Sequence, residues 1–202
     1  MDVILATKNC DKVREIREIL PDSRIRFMTM TEAGCDAEII EDGDSFQANA
    51  LIKARAVHQL TGGYVLADDS GLAVDLLDGA PGIFSARFAG EQASYPEKIA
   101  RLHDLLATWP PEQWDASFIC AMALIRPDGE ERVFTGECRG RIATEPRGEN
   151  GFGYDPVFLL PERGLTTAEL SNEEKHSISH RGQALRAVAS ELLRDLALYE
   201  KN

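Results

Sequence analysis

The chain has no run of about 18 apolar residues, so no membrane span is expected. It does not open on a basic region followed by an apolar stretch. Met1-Asp2-Val3-Ile4 starts a strand at once, so a cytoplasmic protein without a signal peptide is expected. Cysteine is sparse: Cys10, Cys35, Cys120 and Cys138 are widely spaced and form no C-x-x-C pair. That argues against a zinc site or a disulfide framework and for reduced thiols. Positive charge is also scarce, with 22 Lys and Arg against 34 Asp and Glu and a net charge of -12. A general nucleic-acid binder needs a basic surface, so no nucleic-acid partner is expected. A small anionic ligand stays open, provided its cations are gathered locally. Internal repeats, low-complexity tracts and a clear linker are absent. What is present is 202 residues, 44% hydrophobic and 28% charged. This suffices for one sizeable domain, 1–202, or for two small lobes.

The organising stretch is Leu66 to Gly90. Tyr64-Val65-Leu66-Ala67 reads as a buried strand that ends in Asp68 and Asp69, then Ser70 and Gly71. Two carboxylates side by side raise each other's pKa unless a cation sits between them. Oxygen-only ligands favour magnesium. The alternative is a polar turn with solvated acids.

Ahead of it, Asp2 to Ala6 reads as a strand, and Val13, Ile16 and Ile19/Leu20 recur at helical spacing. Thr7-Lys8-Asn9-Cys10-Asp11-Lys12 joins them. Free N–H groups and the dipole of a first helical turn favour an anion there. No G-x-x-x-x-G-K-[ST] occurs, and a plain strand-to-helix turn with surface lysines is the other reading. A second strand is expected in Arg26 to Met30. Asp44 with Gln47 resembles a capping box for a helix to about Leu60, with Phe46, Ala50, Ala54 and Val57 inward and Gly62-Gly63 at its end. Lys53 lies inside that helix, where a lysine is more often solvated than a ligand. One acid of the preceding loop, Glu38, Glu41, Asp42 or Asp44, could complete a metal site.

After the central stretch, Ser94-Tyr95-Pro96-Glu97 starts a helix. Ala116 to Ile125 and Arg132 to Cys138 read as an antiparallel hairpin. In Gly151-Phe152-Gly153-Tyr154-Asp155-Pro156, before a strand at Val157 to Leu160, glycines alternate with aromatics suited either to stacking on a base or to covering a core. Ser171-Asn172-Glu173-Glu174 is a capping-box pattern. Lys175 and Arg181 near a helix start hint at an anionic or carbonyl-bearing partner, and His180 alone reads as structural. Leu185, Val188, Leu192, Leu196 and Tyr199 mark a long C-terminal helix. The order is that of a mixed α/β fold.

Together these segments resemble the inosine triphosphate pyrophosphatases, also called dITP/XTP pyrophosphatases. The resemblance runs from Ala6-Thr7-Lys8-Asn9 to His180-Arg181-Gly182. Its most specific strings are A-D-D-S-G-L at 67–72, G-A-P-G-I at 79–83, G-F-G-Y-D-P at 151–156 and S-H-R-G at 179–182. It implies an elongated two-lobed α/β structure around a long curved mixed sheet with a central nucleotide-binding cleft, and a homodimer. It implies Mg2+-dependent cleavage of ITP, dITP and XTP between the α and β phosphates. Carried over, Thr7, Lys8, Asn9, Cys10, Asp11 and Lys12 would cradle the phosphates, with Lys53 as a further cation. Asp69 would be general base and metal ligand, with Asp68 beside it, and Ser70 would touch substrate. Phe152, Gly153, Tyr154 and Asp155 would line the base pocket, and Lys175, His180 and Arg181 would read the base edge. Lys8 and Asp11 depart from the small residues usual in that loop. Ile40 stands where a second glutamate is usual, which leaves the extra metal ligand between Glu41 and Glu38. A pyrophosphatase for modified pyrimidine triphosphates and a non-catalytic nucleotide sensor are the alternatives.

Overall fold

The structure, a computed structural model, describes residues 1–199, the last by its backbone alone. The Tyr199 side chain, expected to face inward, thus lies outside the described residues. Along the chain run β1 (Asp2–Leu5), α1 (Cys10–Ile19), β2 (Arg26–Thr29), α2 (Phe46–Thr61), β3 (Tyr64–Val74) and α3 (Tyr95–Leu106). Then come β4 (Asp115–Ile125), β5 (Glu131–Ile142), β6 (Phe158–Leu160), β7 (Leu165–Thr166), α4 (Asn172–Ile178) and α5 (His180–Tyr199). The seven strands form one sheet in the order β2-β1-β3-β4-β5-β6-β7. β1 is parallel to β2 and β3, while β6 is antiparallel to β5 and β7. The fold is therefore α/β with a mixed sheet, as expected. Among the described residues no helix is long and apolar enough to cross a membrane.

The chain divides into two compact units. The first takes residues 1–69, 120–136 and those from 181 onward; the second takes 70–119 and 137–180. In the first, Val13 and Ile16 of α1 and Leu185, Val188 and Leu192 of α5 pack with Val3, Leu5, Leu66, Met122 and Leu124 of the strands. In the second, Ile99, Leu102 and Leu106 of α3 pack with Leu72, Val74, Phe118, Ile142 and Phe158. Leu102 and Leu106 are fully buried, and each such leucine contributes about 1.5–3 kcal/mol relative to exposure.

The helix boundaries follow from local chemistry, with one correction. α2 is capped by Ser45 rather than Asp44: its hydroxyl accepts from the Ala48 N–H at 3.2 Å. The extended backbone at Ser45, with φ -148°, sets its short side chain over the first turn. Phe46, Ala50, Ala54 and Val57 are buried as expected, and α2 ends at Gly62, which has φ 67°. Ser94 with Glu97 and Ser171 with Glu174 form reciprocal capping boxes at α3 and α4.

The second correction concerns β3. It does not stop at Asp68 but continues through Asp69, Ser70 and Gly71 to Val74. The two acids sit in mid-strand because neighbouring cations satisfy them. β7 carries no periodic pattern and was beyond reach of the sequence, being two residues long.

Candidate active site

Consecutive strand residues point to opposite faces, so Asp68 and Asp69 enter different surroundings. Asp68 is 1% exposed. Arg181 Nε donates to its Oδ2 at 2.8 Å, Lys12 Nζ lies 2.6 Å from its Oδ1, and the Cys120 thiol donates to Oδ2 at 3.4 Å. Arg181 Nη1 also donates to Glu15 of α1. Two carboxylates thus meet two cations in a buried, charge-balanced group. Burial would raise the Asp68 pKa, but Arg181 and Lys12 outweigh it and hold the carboxyl well below the usual range.

Asp69 belongs to a second group. Lys53 Nζ donates to Asp69 Oδ1 and to Glu41 Oε2, each at 2.7 Å. The ammonium comes from mid-α2 and is 7% exposed, not solvated. Burial alone would lower its pKa, yet the two carboxylates keep it above the usual lysine value. Asp69 is shifted upward, first by burial and further by the Glu41 charge, against the pull of Lys53 and Lys12. Its Oδ2 atom is buried without a hydrogen-bond partner among the described residues.

The group therefore holds two carboxylates to one ammonium, all oxygen donors, with one orphaned oxygen. That fits a hard divalent cation. No cluster of three or more His, Cys, Asp or Glu side chains suited to a metal occurs among the described residues. Magnesium does not require one, because it is usually held by one or two carboxylates with substrate phosphates and water completing the shell. The structure does not bring Asp68 into this set, since its carboxylate is taken by Arg181 and Lys12. Of the two candidate loop acids, Glu41 reaches Asp69's partner, while among the described residues no hydrogen bond or ion pair joins Glu38 to this group.

The loop before α1 is built as a cap. Asn9 Oδ1 accepts from the N–H groups of Asp11 and Lys12 at 2.9 and 3.2 Å, and Thr7 Oγ1 accepts from Asn9 N–H at 3.1 Å. Asp11 pairs with Arg14 at 2.8 Å. Lys8 stays exposed near Asp36, and Cys10 is exposed at the first helical position. Lys12 is the loop cation turned inward.

In the second unit, Asp155 is 2% exposed. It accepts from Lys175 Nζ at 2.6 Å, from Phe152 N–H at 2.8 Å and from Thr167 Oγ1 at 2.8 Å. Lys175 Nζ also lies 5.2 Å from the Phe152 ring centre. Gly151 makes this turn possible: at φ +76°, a Cβ there would lie 2.2 Å from Asp155 Oδ2. Tyr154 is buried, packs edge-on to Tyr95 at 5.4 Å and donates to Ser85 O at 3.2 Å. Burial pushes its phenol pKa up. Tyr154 and Asp155 therefore shape the turn from inside, while Phe152 and Gly153 are half-buried. His180 stacks on Phe118 at 4.9 Å. Ser70 is half-buried in β3, next in the chain to Asp69.

Comparison with known proteins identifies the family. The profile of the Ham1 family matches residues 3–191. The chain belongs to the Ham1 family. Within it, the dITP/XTP pyrophosphatase of Photorhabdus laumondii is 46% identical over 192 residues, 94% of this chain and 97% of that one. The dITP/XTP pyrophosphatase of Desulforamulus reducens is 44% identical over 201 residues and the full length of both. Among solved structures, a HAM1 protein from Coxiella burnetii superposes with a TM-score of 0.87 at 42% identity, covering 96% of this chain and 99% of that one.

Three residues of these groups were not foreseen from the Ham1-like motifs. Glu15 carried a usable signal, being an acid three residues after Lys12 beside the apolar positions Val13 and Ile16. Cys120 in a wholly apolar strand and Thr167 in a short turn carried none.

Proposed function

We propose that this chain hydrolyses ITP, dITP and XTP to the monophosphate and pyrophosphate, with magnesium as its cation. The observation that carries the reading is the Asp69–Lys53–Glu41 group with its orphaned Asp69 oxygen, on a fold whose relatives are named dITP/XTP pyrophosphatases.

Asp69 is the general base. A carboxylate with raised proton affinity accepts a proton from water more readily than an ordinary aspartate, and such help is worth about 10²–10⁴-fold. The water oxygen attacks the α-phosphorus, the α–β bridging bond breaks, and pyrophosphate leaves. Asp69 and Glu41 would hold magnesium, which supplies charge neutralisation on the polyphosphate and the leaving group. Thr7 to Lys12 receive the phosphates, with Lys8 and Lys12 as the cations and Lys53 as a third. Ser70 touches substrate. Asp68 orients Lys12 and Arg181 instead of binding metal.

Phe152 stacks on the purine and Gly153 lets it approach. Lys175, His180 and Arg181 supply donors for the C6 oxygen, Arg181 after release from Glu15. An adenine amine would leave such donors unpaired at about 1–3 kcal/mol each, so ATP is rejected. Action on the nucleotide pool implies a cytoplasmic setting, and a homodimer belongs to the same proposal.

The test is pyrophosphate release from ITP, XTP, dITP, ATP, GTP and modified pyrimidine triphosphates with magnesium. Release from the first three, at rates well above the rest, is expected. Orthophosphate as the product would remove the α–β cleavage, and tight binding with no release would favour a sensor.

A further inference from the structure

We propose that Lys53 is an internal stand-in for the divalent cation. In the metal-free protein its ammonium holds Glu41 and Asp69 together, and a metal must displace it to enter. This rests on the assignment of those two carboxylates to the magnesium site.

The geometry is that of a bridging cation. Nζ sits 2.7 Å from an oxygen of each carboxylate. Lys53 emerges on the buried stripe of α2 with Ala50, Ala54 and Val57, so its stem is packed and its head is presented to the two carboxylates. Without any cation, the carboxylates of buried Asp69 and half-buried Glu41 would repel, and one would take a proton. The ammonium prevents this but only in part. It brings one charge against two, and it leaves Asp69 Oδ2 without a donor. A divalent cation supplies both the missing charge and the missing partner. The pair therefore always has a cation available, and metal affinity without nucleotide is set by competition with Lys53. A triphosphate offers the ammonium other anionic partners, so the arrival of nucleotide weakens its hold on the carboxylates and favours metal entry.

The experiment uses the full chain without nucleotide, with Mn2+ as the probe. Wild type, Lys53→Met and Lys53→Arg are compared by titration calorimetry and thermal melting. Lys53→Met is expected to melt below wild type in chelator, because it leaves two carboxylates uncompensated. Mn2+ should restore most of that loss while moving wild type less. Its Mn2+ affinity should exceed that of wild type by about tenfold or more, since the competitor is gone. Lys53→Arg should behave as wild type. If Lys53→Met folds only with metal, unfolding on chelation that Mn2+ reverses supports the proposal, and unfolding that Mn2+ does not reverse overturns it. Equal or weaker Mn2+ binding by Lys53→Met overturns it, as does no binding by either protein. Wild-type hydrolysis of ITP alongside such a result confines the failure to Lys53. Absence of hydrolysis with the Lys53→Met gain intact confines it to the enzymatic reading.

Discussion

Arg181 Nε donates to Asp68 Oδ2 at 2.8 Å with both side chains 2% exposed or less. Neutralising one partner of such a pair leaves the other buried and uncompensated, at a cost of about 3–5 kcal/mol. Asp68→Asn is therefore expected to lower the unfolding free energy by several kcal/mol in urea titrations. Asp69→Asn should keep the fold and lose pyrophosphate release by about 10²–10⁴-fold. An Asp68→Asn protein that unfolds like wild type would show that the pairing does not hold the fold. An Asp69→Asn enzyme retaining most of its activity would displace the base assignment.

Gly151 offers a sharper contrast. Gly151→Ala meets Asp155 Oδ2 at 2.2 Å in a left-handed conformation, φ +76°. The backbone alone costs about 1–2 kcal/mol, and the clash pushes Asp155 off the Phe152 N–H. The KM for ITP should rise together with a lower unfolding midpoint. Gly164→Ala is the control, at φ +67° with nothing within 4 Å of the added carbon. It should show the loss of stability alone. Equal KM values for the two variants would mean that the turn does not govern base binding.

Acid titration separates the surface from these buried groups. The Arg24 side chain and its backbone N–H draw the Asp22 carboxyl down to about 2. Arg26 lowers Asp2 and Arg139 lowers Asp75 in the same way. Folded values below the unfolded ones mean a contribution present above the ordinary aspartate range and lost as pH falls toward 2. Asp2 and Asp75 are exposed and Asp22 is partly so, so the effect on stability is small and screened by salt. Carboxyl NMR should show Asp22 titrating near pH 2. Arg24→Ala should bring its midpoint back toward about 3.9, and an unmoved midpoint would rule out the pairing.

Much of this was legible in the sequence because it rests on local rules. The apolar periods of α1, α2 and α5 and the Ser94 and Ser171 boxes follow from nearest neighbours along the chain. Lys53 was not legible in that way. Its burial depends on Glu41 and Asp69, 12 and 16 residues away, and a lysine without partners would indeed face solvent. The same holds for β3, whose apparent end at Asp68 vanishes once Arg181, 113 residues on, supplies the opposite charge. The family resemblance assigns Tyr154 and Asp155 to the pocket lining, whereas the residues themselves left stacking and core-covering open. Their long-range hydrogen bonds to Ser85 and Thr167 turn them inward instead.

The parity of β3 carries a consequence for how such a chain can diverge. With Asp68 and Asp69 on opposite faces, inserting or deleting one residue between the β1–β3 register at Leu66 and the first acid would turn both carboxylates to the wrong face. An insertion would bring the first acid to the position facing Lys53 and carry the second one residue further along the strand, whereas a deletion would bury the base against the Arg181 guanidinium. Substitutions can accumulate around this segment, but its length cannot drift by one.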